Sequence, residues 1–233
     1  MPKPYKLVLT CEHASARIPV KYRELIPQSY LRTHKGLDIG ALEAAEFFSK
    51  TLRAPLIAGN VSRLVVDLNR SPHNRTALFS RFLQSLDRDK KNRILNLYYL
   101  PYRKAAERQA RKLARKPGVV LHLSIHSFTP VLYGKVRRPD IGLLFDPARK
   151  SEARFCRRMR TELKRLDPGL KVLFNDPYKG ISDGMTTALR KKFPSTRYAG
   201  IEVEINQKFP RKAGKKWRAL KKILAKAIWA VMI

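Results

Sequence analysis

The sequence has few cysteines, few acidic residues and no long apolar segment. It contains two cysteines, Cys11 and Cys156, in 233 residues, which is too few for a disulfide framework. No apolar run reaches the length that a membrane-spanning helix needs. The chain starts MPKPYKLVLTCEH and enters a predicted strand without the pattern of a signal peptide. We therefore expect neither a disulfide-rich secreted protein nor an integral membrane protein, and we predict a cytoplasmic location.

The shortage of acidic residues leaves the chain strongly basic. There are 18 Asp and Glu residues against 50 Lys and Arg residues, a formal net charge of +32. Such a charge predicts attraction to polyanions, namely nucleic acid, anionic lipid or an acidic cell-wall polymer. The basic residues are spread along the whole chain, and no motif concentrates them. A generally basic, solvated surface is therefore the alternative interpretation.

Apolar runs of strand length alternate with helical periodicities along the chain. The central run, residues 119–125, lies between Gly118 and Pro130 and is typical of a strand buried on both faces. The predicted strands are 5–11, 56–58, 64–68, 119–125, 141–145, 171–174 and 198–205, and the predicted helices are 36–53, 85–116 (broken or kinked at Pro101), 151–166, 184–193 and 215–232. This alternation predicts an α/β fold with three α/β/α layers around a mixed, mostly parallel sheet. No linker or repeat interrupts it, so we expect one domain over residues 1–233.

Chemically active residues follow several of the predicted strands. They are Glu12-His13, the group 67–70, His126-Ser127, and Glu202 or Glu204. The carboxyl ends of strands in one sheet converge in space, so these groups could share one cleft. Two histidines and a carboxylate suit zinc with one position open for water, and a nearby carboxylate can take the proton of that water. The residues alone indicate a metal-dependent amide hydrolase, without an HExxH or CxxC motif to support it.

The chain resembles the N-formylglutamate amidohydrolase family along nearly its whole length. The matching segments, in order, are LTCEHAS, GLDIGA, SRLVVDLNR, SIHSFTPVLYGKVR with DIGLLF, NDPY with Gly180, and IEVEINQ. The same segments are similar to the wider zinc carboxypeptidase and aspartoacylase superfamily. The resemblance implies a phosphorylase/hydrolase-like, zinc-peptidase-like fold and hydrolysis of an N-acyl amino acid with zinc as cofactor.

The resemblance also implies roles for particular residues. His126 matches a metal-ligand histidine, and Glu204 matches the glutamate that activates water. Asn69 and Arg70 match the pair that binds the substrate carboxylate. Two further arginines match family positions: Arg63 the one that polarises the scissile carbonyl, and Arg137 one that binds a second carboxylate.

The first metal-binding motif departs from the superfamily pattern. The superfamily has His-x-x-Glu after the first strand, whereas this chain has Glu12-His13 and an alanine at position 16. We predict Glu12, His13 and His126 as metal ligands. Asp38 is either the missing ligand or an acceptor that orients His13.

Three functions are consistent with these residues. The first is a zinc-dependent amidohydrolase acting on an N-acyl amino acid such as N-formylglutamate. The second is a metallocarboxypeptidase or amidase acting on acidic peptides or peptidoglycan fragments, which would suit the +32 charge. The third is a basic protein on the same fold that binds nucleic acid or another polyanion. The retention of Glu12, Asp38, Asp67 and Glu204 in an acid-poor chain favours an enzyme.

Overall fold

The structure is a computed structural model that describes residues 5–31, 33–212 and 214–233. Its central sheet contains β1 (Tyr5–Cys11), β2 (Leu56–Ala58), β3 (Val119–Phe128), β6 (Ile141–Leu144), β7 (Val172–Phe174) and β8 (Tyr198–Asn206); β4 (Val131–Leu132) and β5 (Lys135–Val136) form a separate hairpin. The strand order in the sheet is β2-β1-β3-β8-β6-β7. The strands β2, β1, β3 and β8 are parallel, whereas β6 pairs antiparallel with β8 and parallel with β7. The mixed, mostly parallel sheet confirms the predicted fold class.

Helices cover both faces of the sheet. They are α1 (Ala41–Leu52), α2 (Arg88–Ile94), α3 (Leu100–Ala114), α4 (Lys150–Leu166), α5 (Met185–Arg190), α6 (Lys208–Lys212) and α7 (Gly214–Met232). Leu7 and Leu9 of β1 pack with apolar residues of α1, α4 and α7, while Val8 packs with residues of α3 and α5. This division follows from the alternation of side chains along a strand. The result is the α/β/α layering that the sequence predicts.

The carboxyl ends of β1, β3 and β8 meet at one edge of the sheet. His126 near the end of β3 is opposite Glu204 of β8, and β6 begins beside them with Ile141 opposite Ile205. Glu12 and His13 follow β1 at the same edge. Open α/β sheets bind ligands at such an edge.

Two local predictions were wrong. Residues 64–68 do not form a strand, because Ser62 takes up backbone hydrogen bonds that a strand would give to its neighbour. The Oγ of Ser62 accepts a hydrogen bond from the backbone N–H of Leu64, and the carbonyl of Ser62 accepts one from the backbone N–H of Val65. The helix predicted from residue 36 begins at Ala41, because Gly40 adopts a left-handed backbone conformation (φ 79°). Asp38 therefore lies in the loop that precedes the helix and not in its first turn.

The long helix predicted over residues 85–116 is divided. A π-helical turn, Leu95–Tyr99, separates α2 from α3, and Pro101 lies in the first turn of α3, where a proline is tolerated. No helix in the described part of the chain is both long and apolar enough to cross a membrane. The first four residues, which contribute to the expected absence of a signal peptide, lie outside the described residues.

Candidate metal centre and active site

Three buried side chains bring possible metal-binding atoms together at the sheet edge. His13, Asp38 and His126 each offer one donor atom, and these atoms lie within 4.8 Å of one another. Oδ2 of Asp38 is 2.9 Å from Nδ1 of His126 and 3.3 Å from Nδ1 of His13. The two histidines therefore turn the same ring nitrogen toward one carboxylate oxygen. Each of the three side chains is at most 6% exposed.

The other ring nitrogen of each histidine contacts a second carboxylate. Nε2 of His13 is 2.8 Å from Oδ1 of Asp67, and Nε2 of His126 is 3.1 Å from Oε2 of Glu12. Histidines that bind metals usually have such a partner on the far nitrogen, which orients the ring. The arrangement leaves both Nδ1 atoms directed at the space next to Asp38.

Glu12 lies behind His126 and outside the cluster of three donors. Its Oε1 accepts a hydrogen bond from the hydroxyl of Tyr102 at 2.9 Å, and its Oε2 accepts one from Ser124 at 2.6 Å. Both carboxylate oxygens are thus occupied by side chains on α3 and β3. Glu12 is 1% exposed and is not among the residues that line the cavity at this edge.

Burial and neighbouring opposite charges shift the pKa values in this cluster in opposite directions, and the effect of the charges is the larger. Burial alone would raise the pKa of Asp38, but His13 and His126 hold it well below its usual range. Burial would likewise raise the pKa of Glu12, and the hydrogen bonds and charge of His126 together with Ser124 hold it low. Burial would lower the pKa of His126, but Asp38 and Glu12 raise it well above its ordinary value. Without a metal, protons on the histidines compensate the carboxylates; a dication can replace those protons.

Glu204 differs from the other acidic residues of the cluster. It is 5% exposed, and its Oε2 has no hydrogen-bond partner among the described residues. Burial raises the pKa of Glu204 to about 8 with help from the negative charge of Asp38, against the opposing effect of His126. An unpaired buried carboxyl group next to two histidines is suited to taking and giving a proton.

A cavity of about 400 Å³ opens onto this cluster. It is lined by eight of the nine predicted site residues, all except Glu12: His13, Asp38, Arg63, Asn69, Arg70, His126, Arg137 and Glu204. Glu202 also lines the cavity, and its carboxylate accepts from Thr186. From the sequence we expected Glu202 and Glu204 to point to opposite sides of the strand, and this was wrong, because residues two apart on a strand share one face.

The three residues predicted to bind substrate (Asn69, Arg70 and Arg137) and the arginine predicted to polarise the scissile carbonyl (Arg63) are held in different ways. Arg63 donates to Asp67 at 2.8 Å and lies 3.6 Å from Oδ1 of Asp38. Asn69 accepts from the backbone N–H of residue 185 at 2.6 Å, and Arg70 donates to the carbonyl of residue 183 at 2.5 Å. Arg137 donates to the hydroxyl of Tyr178 at 2.9 Å. Of the three arginines, Arg63 pairs with the buried carboxylates, whereas Arg70 and Arg137 are held by a backbone carbonyl and a tyrosine hydroxyl.

The sequence of most of the chain matches one protein-family model. Residues 5–209 match the model of the N-formylglutamate amidohydrolase family. The chain belongs to this family. The family resemblance noted in the sequence is thereby confirmed.

Two solved structures are similar to this member of the N-formylglutamate amidohydrolase family. A gene product of Agrobacterium tumefaciens, Atu2144, is 31% identical over 97% of this chain and 91% of that chain, with a TM-score of 0.77. An N-formylglutamate amidohydrolase from Ralstonia eutropha JMP134 is 19% identical over 100% of this chain and 95% of that chain, with a TM-score of 0.73. The second likeness shows the shared fold. No curated protein matches the chain significantly.

Several residues that contact the site in this family member were not predicted from the sequence. Tyr102 and Ser124, which bind Glu12, and Asp183 were not singled out. Asp183 accepts from the backbone N–H of Ser71 and from Asn74 at 2.9 Å, and so holds the loop that carries Arg70. Ser124 could have been found, because it lies between His122 and His126 on one face of a strand. Nothing in the local sequence identifies Tyr102 or Asp183.

Proposed function

We propose that the chain is a zinc-dependent amidohydrolase that cleaves the amide bond of an N-acyl amino acid, with N-formylglutamate as the first substrate to test. The observation that carries the proposal is the convergence of His13, Asp38 and His126 beside the unpaired carboxyl oxygen of Glu204. Membership in the N-formylglutamate amidohydrolase family supports the reaction class.

The donor set suits zinc. Two imidazole nitrogens and one carboxylate oxygen leave a fourth position open, as catalytic zinc sites do. In this proposal His13, Asp38 and His126 hold the metal, while Asp67 and Glu12 orient the two imidazoles. When bound, zinc polarises the scissile carbonyl and lowers the pKa of the attacking water.

The surrounding residues supply the remaining chemistry. Glu204 accepts the proton of the attacking water and returns it to the leaving amine. Arg63, already fixed by Asp67, places positive charge where negative charge develops on the carbonyl oxygen. Arg70 and Arg137 orient the substrate through its carboxylates, and Asn69 keeps the segment after residue 183 in place.

A second candidate is an amidase or carboxypeptidase that acts on acidic peptides or peptidoglycan fragments. The observation that favours it is the cationic lining of the cavity, where Lys35 and Lys179 join Arg137. The residues that act on the amide bond would be the same. A higher kcat/KM on acidic peptides than on N-formylglutamate would select this candidate.

One experiment tests the proposal with two matched variants. Metal content and turnover of N-formylglutamate are measured for the wild type, His126→Ala and Glu204→Gln. We expect about one zinc per chain in the wild type and in Glu204→Gln, none in His126→Ala, and turnover about 10²–10⁴-fold lower in Glu204→Gln. A wild type that takes up no zinc on incubation, or a fully active Glu204→Gln, would refute the mechanism.

A further inference from the structure

A second cavity, of about 270 Å³, shares Arg63 and two further cations with the catalytic cavity. We call it the Arg81 recess; its lining includes Lys35, Arg63, Arg70, Ser80, Arg81 and Gln84. Asp67 is the one carboxylate in this lining, and its two oxygens contact His13 and Arg63. The recess is therefore lined by four cations, one paired carboxylate, hydroxyl and amide groups, and the apolar side chains of Leu64, Ala77 and Phe79.

Three of the four cations lack a carboxylate partner. Among the ion pairs between described residues, none involves Lys35, Arg70 or Arg81, whereas Arg63 pairs with both Asp38 and Asp67. Cations gathered around one cavity repel one another, and a bound anion relieves that repulsion. The uncompensated charge at this place identifies the kind of ligand that the recess would bind.

Arg81 is held in position before any ligand arrives. Its Nη2 donates to the hydroxyl of Tyr30 at 2.8 Å, and its guanidinium lies 5.5 Å and 5.0 Å from the ring centres of Tyr30 and Phe82. A guanidinium fixed on two aromatic rings loses little conformational entropy when it binds an oxyanion, and its free N–H groups can form paired hydrogen bonds.

The recess adjoins the catalytic cavity. Lys35, Arg63 and Arg70 line both cavities, and Lys35 also lines a third of about 280 Å³ beside Tyr30. Arg63, which lines both cavities, lies 3.6 Å from Oδ1 of Asp38, and Asp67, which lines the recess, contacts His13. One ligand can therefore extend from the metal centre into the recess.

We propose that the Arg81 recess is a second anion-binding site, which takes a compact oxyanion such as a carboxylate, phosphate or sulfate group. The oxyanion comes from one of two sources: the distal end of a substrate longer than an N-acyl amino acid, or a free ion. The possibility that the oxyanion belongs to a longer substrate rests on the proposed function, whereas binding of a free ion does not.

Titration calorimetry with sodium sulfate at constant ionic strength tests the site on the full chain. We expect Arg81→Gln and Lys35→Gln to weaken sulfate binding about tenfold, because each removes a charge-assisted contact. Two matched variants should bind sulfate as the wild type does: Arg88→Gln, which removes an exposed arginine of α2, and Arg137→Gln, which changes the catalytic cavity alone. Should Arg81→Gln not fold, Lys35→Gln is compared with Arg137→Gln: Lys35 lines both cavities and Arg137 the catalytic one alone, so weakening by Lys35→Gln without weakening by Arg137→Gln supports the recess, and weakening by both contradicts it.

Kinetics then distinguish the two sources. If the oxyanion belongs to the substrate, Arg81→Gln lowers kcat/KM for N-formylglutamyl-glutamate about tenfold more than for N-formylglutamyl-glutamine. An equal effect on both substrates, with sulfate binding lost, identifies a free ion. Selective sulfate binding by a chain that hydrolyses neither of these substrates nor N-formylglutamate supports the site and contradicts the proposed function.

Three results would overturn the site. The first is a wild type that binds no sulfate. The second is equal weakening by Arg81→Gln and Arg88→Gln, because that would reflect net charge alone. The third is loss of binding in Arg137→Gln with retention in Arg81→Gln, because that would place the ion in the catalytic cavity.

Discussion

His13 and His126 each lie between two carboxylates, and only one of these carboxylates is shared. Asp38 contacts both histidines through one oxygen, whereas Asp67 and Glu12 each contact a single histidine from behind. In the proposed metal site, the position of each carboxylate would therefore distinguish a metal ligand (Asp38) from a residue that orients a ligand (Asp67 or Glu12).

Replacement of Glu12 tests this distinction. Glu12→Gln should weaken zinc affinity about 10–100-fold, the usual cost of losing the carboxylate behind a histidine ligand. Asp38→Ala removes a donor atom and should weaken zinc affinity further. Competition with a chromophoric chelator measures both constants. Stronger binding by Asp38→Ala than by Glu12→Gln would make Glu12 the ligand.

His122 lies on the same face of β3, deeper in the core. Its ring nitrogens contact the hydroxyls of Thr10 at 2.7 Å and Tyr198 at 2.6 Å, and the residue is fully buried. Burial lowers the pKa of His122 to about 4 from an ordinary value of 6.5. The folded protein therefore holds this imidazole neutral at a pH where the unfolded chain protonates it.

This pKa difference predicts a loss of stability in acid. Between pH 6.5 and about 4 the unfolded state binds the extra proton, so the free energy of unfolding falls as the pH falls, by about 3 kcal/mol in total. Urea unfolding at several pH values should show a weaker pH dependence in His122→Gln than in the wild type. His73→Gln, a change in an exposed loop, is the control. Parallel curves for the wild type and His122→Gln would refute the assignment.

The cavity residues were easier to predict than the residues behind them. His13, His126 and Glu204 follow or end apolar strand runs, so their meeting at one sheet edge follows from the α/β pattern. Asp38 was placed in a helical turn, because the sequence does not show that Gly40 delays the helix start. Tyr102 reaches Glu12 from a helix 90 residues away, and no local pattern encodes such a contact.

At the scale of elements, a buried ion pair joins α4, α5 and β8. Nε of Arg190 donates to Oε1 of Glu152 at 3.0 Å, and its Nη2 donates to the carbonyl of Gly200 at 2.6 Å. Glu152 also accepts from the backbone N–H of Gly200 and of Asp146. The pair therefore satisfies backbone groups on a central strand as well as each other.

Breaking this pair should be costly. Arg190→Met leaves the buried carboxylate of Glu152 with Arg149, whose Nε is 3.3 Å from Oε1, as its remaining cation among the described residues, and we expect the free energy of unfolding to fall by about 3 kcal/mol. Urea unfolding at neutral pH measures the change. Arg165→Met, which removes an exposed pair with Glu162, should have little effect and serves as the control. A similar small effect for both variants would show that Arg190 contributes no more than a surface arginine.

Element types were predicted well where periodicity was strong. The strands 5–11 and 56–58 are as predicted, and α4 and α7 each begin one residue earlier than predicted. The run 64–68 was predicted as a strand because its apolar residues are indeed buried, yet they pack in a loop. Buried apolar residues do not form a strand when a neighbouring serine accepts the hydrogen bonds of their backbone N–H groups. The hairpin of β4 and β5, two residues each, is too short to leave a periodic signal.

At the scale of the whole molecule, positive charge is present on both helical layers. Exposed basic residues occur on α3 on one side of the sheet and on α4 and α7 on the other, including Arg108, Lys112, Arg157, Lys164, Lys215 and Lys222. A dedicated polyanion-binding surface would concentrate them on one side. The distribution supports the alternative interpretation of a generally basic, solvated surface.

A net charge of +32 also opposes the compact state. Like charges repel more strongly in the folded protein than in the expanded chain, and salt screens this repulsion. We therefore expect the Tm to rise between about 0.05 M and about 0.5 M NaCl. Differential scanning calorimetry measures the shift, and KCl at equal ionic strength should reproduce it. A Tm that falls with salt would show that attractive ion pairs outweigh the repulsion.

The pairing of β3 with β8 determines how a shift in strand register would affect the proposed site. Glu204 is opposite His126 because nine residue pairs align the two strands, and β6 fixes β8 from its other side. A shift of β8 by one residue would direct Val203 or Ile205 into the cavity and turn Glu204 to the opposite face. The distance between Glu204, the proposed proton acceptor, and His126 of the proposed metal site is thus set by hydrogen bonds along the whole strand. Substitutions far from the cavity that disturb this strand pairing would therefore abolish the proposed activity, even though every residue of the proposed site would still be present in the sequence.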